Sequence, residues 1–168
     1  MKIARLALAF GVFLLGCSDP ISIVRAPSKG AIAIEFPSTE AAIGADTIQY
    51  FAFDRSDSGS DAALDCPSLV FRRKMKQTLP TPIFDSGRLG ICNSLLGDPQ
   101  RPFTLAYGDH LVFVIAQRGD EDYLVGCATK TVSHTDQPTS VKLDLIDVKT
   151  PVPRTTCKSL AQWCAAGC

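Results

Sequence analysis

Two cations, Lys2 and Arg5, precede an apolar run from Leu6 to Leu15 that stops at Gly16-Cys17. A helix needs about 20 apolar residues to cross a bilayer, so this run is too short to span one. Basic start, short apolar core and small terminal residue are the order of a secretion signal. Export constrains the fold more than any other feature, because thiols pair in an oxidising compartment. The chain has seven cysteines, and six of them, Cys66, Cys92, Cys127, Cys157, Cys164 and Cys168, lie far beyond the signal. An even set of six predicts three disulfides with 15 possible connectivities.

The seventh cysteine closes Leu14-Leu15-Gly16-Cys17, which resembles the lipobox of bacterial lipoproteins. The resemblance covers residues 1–19. It implies cleavage before Cys17, a covalent lipid on that residue in place of any cofactor, and a membrane partner reached through the anchor. At ~0.8 kcal/mol per buried CH₂, more than one acyl chain holds stably where one does not. By the family's sorting habit, Ser18 implies the outer membrane. Residues 17–29 contain Pro20 and Pro27 and read as a tether, with Ile21, Ile23 and Val24 able to add an edge strand. Loss of Lys2 and Arg5 with the signal leaves 15 basic against 17 acidic residues. That balance supplies no general pull toward nucleic acid.

The body alternates like a β domain. Ile32, Ile34 and Phe36 share one face of a strand that Pro37 ends, and residues 37–45 read as a turn. Asp46 to Phe53 carries bulk on both faces and reads as a central strand. His110 to Gln117 is apolar on both faces and predicts a core strand. Tyr123 to Val132 returns antiparallel to it, with the polar Arg118-Gly119-Asp120-Glu121-Asp122 as the turn. Val141, Leu143 and Leu145 alternate with Lys142 and Asp144, the pattern of a strand with one buried face. Residues 79–102 are rich in proline and glycine and predict a loop with one small strand.

Three polar stretches interrupt this pattern. Asp54, Asp57 and Asp61 surround Gly59 in an acidic loop, a weak Ca²⁺ candidate that lacks EF-hand spacing and reads as solvated loop. Asp65-Cys66-Pro67 has the form of a helix start. Leu69, Val70 and Phe71 beyond it suit a helix or a short strand equally. Arg72, Arg73, Lys74 and Lys76 then form a basic cluster without interleaved aromatics, which reads as a solvated face. His110 and His134 are the two histidines. Asp109 beside His110 gives no acid–base pair, because neighbours on a strand point to opposite faces. Gly-x-Ser-x-Gly, His-Glu-x-x-His and phosphate-loop patterns are missing from the sequence.

In the tail, residues 157–166 suit a short helix that puts Cys157, Leu160, Cys164 and Cys168 along one stripe. Helical neighbours four apart have Cβ atoms about 5–6 Å apart, too far for a disulfide, so pairing within the helix is disfavoured. Either the three tail cysteines bond to the three in the body, with Trp163 packed beneath them, or Cys164 pairs with Cys168 across a turn at Gly167, one tail cysteine joins the body and two body cysteines pair, with Cys66–Cys92 the preferred body pair. Three thiolates also suit zinc, but an exported chain favours oxidation.

Six or seven short strands without a βαβ rhythm predict a mainly β fold, an antiparallel sandwich of Ig-like or transthyretin-like kind. The layout is similar to small uncharacterised envelope lipoproteins of Gram-negative bacteria. The expected organisation is a signal over 1–16, a lipidated tether over 17–29, a β-sandwich over 30–148 and a Cys-rich tail over 149–168 packed on it. The expected role is non-catalytic, a module on the outer membrane that binds a protein or glycan partner and no nucleic acid. A disulfide-braced structural component and a hydrolase with an unfamiliar site are the alternatives.

Overall fold

The computed structural model describes residues 32–55, 64–96, 105–133, 139–166 and 168. The signal, Cys17 and the tether lie outside the described residues, as do Asp57, Asp61 and His134. In chain order the elements are β1 (Ile32–Glu35), α1 (Thr39–Ile43), β2 (Thr47–Asp54), α2 (Cys66–Lys74), β3 (Phe84–Asp85) and β4 (Leu89–Gly90). There follow α3 (Ile91–Leu96), β5 (Gly108–Arg118), β6 (Glu121–Val132), β7 (Thr139–Lys142), β8 (Asp144–Leu145) and α4 (Leu160–Ala166).

The fold is mainly β, as the alternation predicts, and is built on one antiparallel six-stranded sheet. Its strands run β3-β2-β5-β6-β8, and β4 also pairs with β2. β2 pairs with β5 along its whole length, from Thr47 opposite Gln117 to Asp54 opposite His110. β5 and β6 form the expected hairpin, and Gly119 makes its tip with φ +58°, a conformation that costs glycine nothing. A second sheet pairs β1 with β7 in parallel. The expected single strand over 141–145 changes sheet at Leu143, whose N–H donates to the Glu35 carbonyl at 2.8 Å before β8 joins β6.

Each face of the large sheet buries its own core. Val112, Val114 and Ala116 of β5 join Ile34 and Phe36, the α1 residues Ala41 and Ala42, Val141, Leu143 and Leu160. Leu111, Phe113 and Ile115 point the other way and pack with Phe53, Val125 and Leu69 of α2. Burying one such side chain contributes about 1.5–3 kcal/mol, so the doubly apolar β5 anchors both layers. Gly126 lets β7 approach β6 closely: a Cβ there would collide with the Lys142 carbonyl and the Leu143 side chain.

Two local expectations change. Residues 37–45 are not a plain turn: Ser38 Oγ accepts from the Ala41 N–H at 3.1 Å and caps α1, whose apolar side is buried. Residues 79–102 contain two small strands and α3 rather than one strand. The open choice at 66–77 resolves to helix. Asp65 Oδ1 accepts from the Ser68 N–H at 2.8 Å, and Pro67 sits in the first turn. Hydrogen bonding from Ser68 holds the Asp65 carboxyl below its ordinary value.

The disulfides are Cys66–Cys127, Cys92–Cys164 and Cys157–Cys168. One bond lies within the body, one joins body to tail and one lies within the tail. This is the distribution of the second expected arrangement, but its partners differ: Cys66 pairs with Cys127 rather than Cys92, and Cys168 with Cys157 rather than Cys164. Cys66 on α2 faces Cys127 on β6 because α2 packs across that strand, with Cα atoms 5.4 Å apart, and Cys92 is left to meet Cys164. Cys157 lies outside α4, so the chain loops back to pair it with Cys168. Trp163 is 41% exposed and does not pack beneath the bridges; Leu160 and Cys157 are the tail residues that join the buried core.

Candidate functional site

At the end of the sheet away from the hairpin tip, three cross-strand neighbours break the apolar pattern. Asp54 of β2 lies opposite His110 of β5, and His110 lies opposite Lys130 of β6. His110 is 3% exposed and Lys130 only 1%, so two members of the row are buried within the sheet, while Asp54 is half-buried. Burial of such groups is costly unless each finds a partner. His110 Nε2 donates to the Ala106 carbonyl at 2.9 Å, while Nδ1 is buried and has no partner among the described residues.

Beside the row lies a cleft of about 460 Å³, lined by Asp54, Arg55 and residues 106–110. That volume falls in the roughly 300–1,000 Å³ range of small-ligand sites. Tyr107 stands at its wall, 69% exposed. An aromatic side chain with a polar tip is a common anchor at binding surfaces. Gly108 adopts φ +133°, a backbone shape that other residues rarely take, and this bends the chain between Tyr107 and the start of β5.

Asp109 and His110 point to opposite faces. The Asp109 carboxylate accepts from Thr131 Oγ1 at 2.6 Å, which commits it to the β5–β6 ladder rather than to the imidazole. Of the weak cation candidates, Asp54 borders the cleft, while Asp57 and Asp61 lie outside the described residues. Among the described residues no three His, Cys, Asp or Glu side chains group closely enough to hold a metal ion. No sequence motif singles out His110 together with Lys130. The signal for both was pairing register: each sits at a strand position whose neighbours on the same face are core, which only the β2–β5–β6 alignment reveals.

The basic cluster divides. Arg73 leaves it for Asp122 of β6, with Nε 2.5 Å from Oδ2. Arg72, Lys74 and Lys76 stay exposed and make no ion pair among the described residues. Comparison with known protein families, with curated proteins and with solved structures returns no match.

Proposed function

We propose that this chain is a lipid-anchored, non-catalytic binding module of the bacterial envelope. Cys17 carries it on the outer membrane, and the His110 end of the sheet receives a protein or glycan partner. The observation that carries the reading is the buried His110, with Nδ1 unpartnered, lining a cleft walled by exposed Tyr107. The commitment of Asp109 to Thr131 favours binding over catalysis, since among the described residues no carboxylate hydrogen-bonds the imidazole to orient it as a base. Three disulfides suit an oxidising compartment. Among the described residues no helix is long and apolar enough to cross a membrane, so this reading leaves attachment to the acylated cysteine.

The test is photo-crosslinking in intact envelopes with a photoreactive phenylalanine at position 107, against the same probe at the still more exposed Val148. The expected outcome is one discrete adduct from position 107 and none from 148. Equal labelling from both positions, or none from either, overturns the proposal.

A further inference from the structure

The outer side of α2 has an unusual composition. Leu69 points inward and is fully buried, while Phe71 and Met75, four residues apart on the opposite side, are each 58% exposed. Two large apolar side chains side by side in water lose the stabilisation that burial brings. Arg72, Lys74 and Lys76 surround them, exposed and without an acidic partner among the described residues. Arg73, the one cation turned toward the sheet, is neutralised by Asp122.

The end of the helix adds a second, independent sign. The Gln77 N–H donates to the Arg72 carbonyl at 2.8 Å and the Lys76 N–H to the Arg73 carbonyl at 3.0 Å, which is the Schellman closure. That closure needs a left-handed residue, and glycine is the usual occupant. Here it is Lys76, with φ +53°. A lysine held in this conformation keeps a cation beside Met75 at the expense of backbone strain. The mature charge is slightly negative, so this positive, apolar-centred face stands out locally rather than following the whole molecule.

We infer that the outer face of α2 docks on an anionic phospholipid surface, with Phe71 and Met75 entering the interface and Arg72, Lys74 and Lys76 meeting the headgroup phosphates. Cations gain from an anionic leaflet by about fivefold in partitioning per Lys or Arg. A small apolar face deepens that contact without spanning the bilayer. The inference builds on the Cys17 anchor, which keeps the domain near the membrane and makes docking effectively intramolecular. The domain would then lie on the surface by one defined side instead of swinging on its tether.

The full chain carrying Phe71→Trp with Trp163→Phe places the lone tryptophan at the proposed contact. With excess phosphatidylglycerol-containing vesicles, its emission is expected to shift to the blue and to be quenched by brominated acyl chains. Neither change is expected with phosphatidylcholine alone, and both should fade as salt rises. In the same background, Arg72→Gln/Lys74→Gln/Lys76→Gln is expected to weaken the response roughly a hundredfold. Lys76→Gly relieves the left-handed strain, so it should melt no lower than the parent yet bind anionic vesicles about fivefold more weakly. Absence of the shift on anionic vesicles, an equal shift on neutral ones, or unchanged binding by Lys76→Gly overturns the inference. Protection of α2 that arises in whole envelopes but not on vesicles assigns the face to a protein and also overturns it. The mass of the N-terminal peptide scores Cys17 acylation separately. A shift without acylation sinks the anchor alone, and acylation without a shift sinks the docking alone.

Discussion

The two ends of the central sheet are both polar, and they handle that polarity in opposite ways. At the hairpin tip, buried Gln117 donates to Asp122 at 3.1 Å, and Arg73 binds the same carboxylate. Asp46 there accepts from the Gly119 N–H at 2.6 Å. Arg118 donates to the Gly44 carbonyl at 2.7 Å and to the Pro151 carbonyl at 3.0 Å, and its guanidinium lies 4.0 Å from the centre of the Tyr123 ring. The leftover Arg118 Nη2 and Tyr123 Oη are packed against Gly44 and Pro153, with no space for a guest. At the opposite end His110 keeps a buried nitrogen unpartnered beside a cleft. The tip therefore holds α1, the hairpin and the tail together, while the other end keeps one buried nitrogen without a hydrogen bond among the described residues, the group that the proposed function assigns to a partner.

Substitutions sharpen this contrast by separating stability from binding. The largest effect is expected between the two ends: Phe113→Ala removes a fully buried ring that meets Phe53 and Phe51, and is expected to cost about 3–5 kcal/mol in chemical denaturation. Arg118→Leu should come next, at about 2–4 kcal/mol, since two charge-assisted hydrogen bonds and the Tyr123 contact go together. His110→Leu should cost no more than about 1 kcal/mol, because it gives up one hydrogen bond but also removes a buried acceptor that has none. If His110→Leu proved as damaging as Arg118→Leu, both ends would be structural and the contrast would fail.

The smallest effect at neutral pH belongs to Tyr123→Phe, within about 1 kcal/mol of the parent, because its hydroxyl makes no well-formed hydrogen bond among the described residues. Its signature is alkaline. Burial pushes the Tyr123 phenol above its ordinary value, and the neighbouring Arg118 only partly opposes that. The unfolded chain then gives up this proton at lower pH than the folded one. Stability from this group is therefore complete below the unfolded value near pH 10 and falls as pH rises through and beyond it. Tyr123→Phe should flatten that part of the alkaline decline in thermal melts, and an unaltered slope would assign the decline to other groups.

The regularly patterned parts of the fold were legible from sequence, and the compensated parts were not. β2 and β5 follow from strands with bulk or apolar residues on both faces, β6 from its return across the polar 118–122 turn, and the α2 start from Asp65 and Pro67. The sheet change at Leu143 was hidden, because Val141-Lys142-Leu143-Asp144-Leu145 alternates without a break while its pairing partner changes. Disulfide partners depend on α2 crossing β6, a packing outcome that no cysteine spacing encodes. The polar row of Asp54, His110 and Lys130 was hidden for the same reason, as its members are 20 or more residues apart and meet only through strand register.

The most direct test combines the two ends in one readout, the adduct formed in intact envelopes by a photoreactive phenylalanine at position 107. With His110→Leu added, the chain should remain folded and the adduct should be lost. With Arg118→Leu at a temperature where the fold survives, the adduct should persist. An adduct that survives His110→Leu undiminished would contradict the assignment of this end of the sheet to a partner.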